Sequence, residues 1–332
     1  MSSLPEPGVS QESSVSASWW RASAALATSF LLLLAIYHET LFSIVGIWLR
    51  SETFTHCFLI FPISGYLVWL RRKALAGLAP SQSYRALALV AALGVAWLLG
   101  SLADVGFIQQ FAFVAMMPAL AWAVLGTSVA REIAFPLVFL LFSVPFGEFL
   151  IPVLIDFTAN FTVGMVKLTG IPIYREGTFF SLPSGDWSVV DACSGLRYLI
   201  ASITLGTLFA YINYRSLWRR TLLIIAASIV PVFANGLRAF MIVMIGHFSG
   251  MTLAIGVDHF IYGWIFFGLV MAVLFWVGSF WAEEWEHARP YPDGPRVATE
   301  RRPGNPFLAA ALFLAIASVW PIWAGYIKMI EL

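Results

Sequence analysis

Residues 220–246, RTLLIIAASIVPVFANGLRAFMIVMIG, hold one charged side chain, Arg238, once the opening Arg220 is passed. A helix rises 1.5 Å per residue through a hydrocarbon core of about 30 Å, so ~20 apolar residues cross a bilayer. This stretch is long enough. The same window finds spans at 21–38, 55–70, 86–103, 107–126, 132–146, 194–213, 259–281 and 307–327. The chain therefore reads as an all-α polytopic membrane protein of about nine transmembrane helices. Composition agrees: 60% of the 332 residues are hydrophobic and 11% are charged, against about 25% charged in a soluble domain. Mean hydropathy is +0.84. A soluble nucleotide-binding enzyme and a disordered chain are excluded. A net charge of +1 offers no field for nucleic acid, and two cysteines cannot build a disulfide framework.

Basic residues set the expected orientation, because short cytoplasmic loops collect Lys and Arg. Arg21, Arg71, Arg72, Lys73, Arg85, Arg131, Arg215, Arg219, Arg220, Arg289, Arg296, Arg301 and Arg302 share one face in this topology. Arg50, Lys167, Arg175, Arg197 and Lys328 share the other, which places the N-terminus inside and the C-terminus outside. The first span follows an acidic flank without a small-residue cleavage site, and reads as a retained anchor. Residues 147–169 are read as an interfacial or half-buried helix: Pro145, Gly147 and Pro152 interrupt them, and Asp156, Asn160 and Lys167 give them a polar side. A crossing there would move Arg215–Arg220 to the outside. Residues 170–192 carry Pro172, Gly177, Pro183 and Gly185 between short alternating runs, which predicts an extracytoplasmic loop with one or two small strands.

Ionisable side chains inside or at the edge of a span are costly and mark function by default. Cys193 lies in DACSGLRYL, where the outer loop meets a helix. A thiol at a helix N-terminus is activated toward thiolate, with Arg197 one turn later reinforcing this; the plain alternative is a small buried apolar residue. Cys57, in HCFLIF, reads as such a residue. Arg238 costs about 2.5–3.5 kcal/mol in an apolar bundle and needs a partner or a task. Its planar fork suits a carboxylate or an oxyanion, with Asn235 at i−3 placed to hold it; a structural ion pair with Asp191 or Asp258 is the alternative. His259 opens the next helix in GVDHFIYG, at the depth of Cys193, and suits proton exchange. Asp258 lies beside it, although neighbours on a helix point about 100° apart. His56, Asp104 and His247 are weaker candidates. No HxxxH or HExxH spacing exists, so neither metal nor cofactor is expected. Ser194–Gly195 lacks the flanks of a serine nucleophile, and EEWEHAR (283–289) reads as a solvated charge run.

An ACSG cysteine, an arginine closing ANGLR and a histidine opening VDHFIYGW, in this order, resemble the exosortase family of bacterial membrane enzymes. YREGTFFSLPSGDWSVVDACSG resembles the family's extracytoplasmic segment before the cysteine. SETFTHCFLIFPISGYLVWLRRK resembles its early helix, with Cys57 where Gly is more usual. The resemblance covers roughly 25–285 and divides the chain into a cytoplasmic tail (1–20), a catalytic core (21–281), a cytoplasmic linker (282–306) and an extra C-terminal helix (307–332).

The resemblance implies a sortase-like cysteine transpeptidase of the inner membrane, its site facing the periplasm. Expected partners are membrane lipids and exported proteins whose C-terminal signal joins a Pro-Glu-Pro motif, a transmembrane helix and a basic tail. The family's link is to exopolysaccharide export. In this role Cys193, Arg238 and His259 are catalytic. Asn235, Arg197, Asp258 and Ser194 support them or bind substrate, Arg197 by meeting the signal's glutamate. Two other classes fit the residues: a transporter or polysaccharide-export component, and a cysteine-dependent acyltransferase with a lipid donor.

Overall fold

The computed structural model describes residues 9–251, 261–283 and 304–330. Among them the fold is all-α apart from one small sheet. Seven helical stretches are long and apolar enough to cross a membrane: Ala17–Ile36, Arg85–Leu102, Gly106–Glu132, Glu148–Leu168, Asp191–Asn213, Leu217–Phe248 and Pro306–Ile327. Three shorter apolar helices, Cys57–Leu70, Ala134–Ser143 and Gly263–Ser279, lie where further spans are expected. The chain is a multi-pass membrane protein that divides into two compact units.

The first unit takes Met1–Phe146 and Ala288–Leu332. It contains α1 (Val9–Ile36), α2 (His38–Arg50), α3 (Cys57–Leu70), α4 (Arg72–Ala76), α5 (Arg85–Leu102), α6 (Gly106–Glu132), α7 (Ala134–Phe139) and α12 (Pro306–Ile330). Between helices in lipid the hydrophobic drive is weak, so close packing and polar contacts hold them together. Tyr37 is such a contact: it is 1% exposed and donates its hydroxyl to the Ala317 carbonyl at 2.8 Å. Its ring packs edge-on against Trp97 and tilted against Phe113. Thus α12, which lies outside the family-like pattern, is built into the core of this unit against α1, α5 and α6.

The second unit takes Gly147–His287. It contains α8 (Ile151–Leu168), β1 (Tyr174–Glu176), β2 (Phe179–Leu182), β3 (Gly185–Ser188), α9 (Leu196–Asn213), α10 (Leu217–Phe248) and α11 (Ile261–Ser279). The stretch read as interfacial forms α8, is long and apolar enough to cross, and packs along α10. Two features shape it. Pro152 occupies the first turn of α8, where a missing N–H costs nothing. On the polar side of α8, Arg175 meets Asp156 at 2.8 Å and also bonds Asn160, and both stay exposed.

Three strands form where one or two are expected, in the antiparallel order β1-β2-β3. Ser181 and Asp186 are paired across β2 and β3 and share a 2.6 Å hydrogen bond. The alternation of β2 buries Phe180 and Leu182. With Val189 they pack on Ile155, Ala159, Val163 and Val166 of α8 and on Val243 of α10. The sheet is thereby fastened to the helices that flank the cysteine loop.

At the other end of α9 and α10, Glu283 is not a free surface charge. Its carboxylate accepts from the amides of Arg215 and of Ser216 (3.1 Å), and it pairs with Arg219 at 3.0 Å. The Arg215 and Ser216 amides, with Arg219, hold its carboxyl below the usual carboxylate range. A depressed carboxyl pKa gives stability that is present above the unfolded-state value and lost as pH falls through the folded one. In Glu283→Gln, hydrogen exchange at Arg215 and Ser216, corrected for intrinsic rates, is several-fold faster than in the wild type at neutral pH. The difference closes as the wild-type carboxyl protonates in acid.

Candidate functional site

Cys193 ends a single 3-10 turn, Asp191–Cys193, and its amide donates to the Val190 carbonyl at 2.8 Å. It does not sit on the N-terminus of α9. Ser194 and Gly195 intervene, and the Leu196 amide donates to the Ser194 hydroxyl at 3.3 Å. The hydroxyl of the buried Ser194 thus serves the start of α9. Cys193 itself is half-buried and packs against the apolar cluster under the sheet.

The turn is anchored from α10. Asn235 is 2% exposed, and its amide nitrogen donates to the Cys193 carbonyl at 2.8 Å and to the Thr158 hydroxyl of α8 at 3.1 Å. Asn235 therefore holds the peptide of Cys193 rather than the guanidinium of Arg238. Gly195 makes this possible. It adopts φ +80°, and a Cβ there would stand 2.6 Å from the Asn235 side-chain carbon. Both the left-handed backbone and the close approach demand glycine.

One turn further along α10, Arg238 is 4% exposed. Among the described residues no ion pair joins it to Asp191 or to any other carboxylate. Its contact is the face of Tyr198 on α9, with the guanidinium carbon 5.5 Å from the ring centroid. Its buried Nε–H has no hydrogen-bond partner among the described residues, nor has the Asn235 side-chain oxygen. Such an orphan is costly in a folded interior and calls for an explanation. Tyr198 stacks on Phe267 of α11, with centroids 4.8 Å apart. Gly263, in the first turn of α11, lies against both: a Cβ there would be 2.4 Å from the Tyr198 hydroxyl and 3.5 Å from Arg238 Nη1.

The structure thus brings Cys193, Asn235 and Arg238 into one neighbourhood of three helices, together with Thr158 and Tyr198, which the sequence did not single out. Tyr198 lies one helical turn after Ser194 on the same motif, and that spacing was the available signal. Arg197 is half-buried on α9. His259 and Asp258 lie outside the described residues; in the sequence His259 stands four positions before Gly263.

Residues 48–276 match the protein family described as transmembrane exosortase. This is more than half of the chain. The chain belongs to the transmembrane exosortase family. No curated protein and no solved structure matches it. The match begins in α2 and ends within α11 of this exosortase-family protein, and so contains every residue of the neighbourhood just described.

The weaker candidates have local bonding partners or local backbone tasks. His56 precedes α3 with Nδ1 3.0 Å from the Thr53 carbonyl, and Cys57 is buried with its sulfur 3.6 Å from the Phe142 carbonyl. Asp104 takes a left-handed conformation in the turn between α5 and α6. His247 ends α10 with Nδ1 2.8 Å from the Ser184 hydroxyl. Among the described residues no three His, Cys, Asp or Glu side chains are grouped to hold a metal.

Proposed function

We propose that this exosortase-family protein is a membrane cysteine peptidase and transpeptidase. It acts on exported proteins bearing a C-terminal Pro-Glu-Pro-type sorting signal, at the periplasmic face of a bacterial inner membrane and in connection with exopolysaccharide export. One observation carries the reading. The peptide of Cys193 is tied by Asn235 to the helical turn that carries Arg238, a buried arginine whose Nε–H is unpaired among the described residues. A donor left unpaired in a dry interior suits charge that develops only during reaction.

The Cys193 thiolate attacks the scissile carbonyl carbon, and the carbonyl electrons move onto oxygen, where Arg238 stabilises them. Collapse breaks the C–N bond. His259 gives its proton to the leaving amine and leaves a thioester on sulfur. Water or an acceptor nucleophile then attacks the thioester and yields its proton to His259, and the thiolate departs. Asn235 keeps the Cys193 turn in place, and Arg197 offers a cation to the signal's glutamate. No cofactor is required by this sequence of steps.

Incubation with a sorting-signal peptide, acid quenching and mass spectrometry test it. A thioester adduct appears on the peptide containing Cys193 and none on that containing Cys57. A fatty-acyl adduct at Cys193 would mean a lipid-donor acyltransferase instead, and no adduct at either sulfur would end the covalent account.

A further inference from the structure

Most buried arginines are held by carboxylates, which neutralise the charge and occupy its N–H groups. Among the described residues Arg238 is held differently. Its guanidinium lies over the face of Tyr198, and a ring face attracts a cation without accepting its in-plane hydrogen bonds. The charge is anchored while its Nε–H stays unspent among the described residues. The ring is itself fixed from two sides. Phe267 stacks on it at 4.8 Å, and its hydroxyl fills the space that a side chain at Gly263 would take, 2.4 Å from the missing Cβ. A tyrosine with neither support would swing about its side-chain torsions, and the guanidinium would follow it.

We infer that Tyr198, locked by Phe267 and by the absence of a side chain at Gly263, is the positioning residue that holds Arg238 in place with its hydrogen-bond donors available to the substrate. This rests on the proposed role of Arg238 and adds a residue to it. The geometry gives the inference a specific signature. Adding a methyl group at 263 collides with the Tyr198 hydroxyl, whereas the ring carbon that bears it stands at an ordinary 3.7 Å. Removing the hydroxyl should therefore make room for the methyl group.

Four variants measured for turnover and KM on a sorting-signal peptide test this. Tyr198→Leu lowers kcat by about thirtyfold, the size of a desolvated cation–π contact, with KM little changed. Gly263→Ala lowers kcat by about tenfold or more by displacing the ring. Tyr198→Phe keeps most of the turnover. The double variant Tyr198→Phe/Gly263→Ala recovers to the level of Tyr198→Phe, a coupling expected only of groups in contact. If Tyr198→Leu turns over like the wild type, or if the phenylalanine fails to rescue Gly263→Ala, the inference falls while the nucleophile assignment stands. If Cys193→Ala still processes the peptide, the functional reading falls first and this one with it.

Discussion

Cys193→Ala leaves a sorting-signal reporter entirely unprocessed in cells, while the variant accumulates in the membrane as the wild type does. Folding should be spared because the turn is held through its backbone. The Cys193 amide donates to Val190 and its carbonyl accepts from Asn235, neither of which involves the sulfur. The side chain is half-buried, so its removal opens little cavity. Losing the nucleophile of a covalent mechanism costs on the order of 10⁶ in rate in well-studied hydrolases, far below what a reporter detects. Immunoblotting for precursor and product checks it; any product formed by Cys193→Ala refutes the assignment. Cys57→Ala, in the first unit, serves as the matched control and processes normally.

Arg238→Lys keeps the charge yet loses about 10²–10³ in kcat, the cost of removing one preorganised donor to an oxyanion. A lysine offers a compact ammonium, without the flat fork that lies over Tyr198 and without an Nε–H at that place. Arg238→Met is the more telling companion. It abolishes processing and melts no lower than the wild type, because it removes a buried cation whose Nε–H is unpaired among the described residues. A structural arginine would behave oppositely, with its loss lowering the melting temperature. Thermal unfolding in detergent alongside peptide turnover separates the two, and a large drop in stability for Arg238→Met would move Arg238 from chemistry to scaffolding.

The residues of this neighbourhood were legible to different degrees, and each for a reason. Cys193 and Arg238 stood out because a polar or charged group is expensive in an apolar span wherever the chain goes next. Spacing from Arg238 marks Asn235, but its amide goes to the Cys193 carbonyl and the Thr158 hydroxyl. The neighbour at i+3 on its own helix was visible, whereas the Cys193 carbonyl, 42 residues away, was not. Nothing in the sequence singles out Thr158, because Pro152 reads equally as an interruption and as a helix start. Glu283 reads as a solvated charge in the sequence because nothing local shows that the amides of Arg215 and Ser216 face it.

By itself the chain of residues determined that this is a multi-pass helical membrane protein, where most of its helices run, and which few polar groups among them need a purpose. Those properties depend on transfer from water to lipid, and each segment carries that cost whatever surrounds it. Only the folded arrangement decided that Asn235 grips the cysteine turn, that Arg238 rests on an aromatic face with a donor unspent, and that Gly195 and Gly263 are small because something else occupies their space. These are contacts between groups far apart along the chain, and a hydrogen bond or a collision has no value until both partners are brought to within a few ångströms of each other.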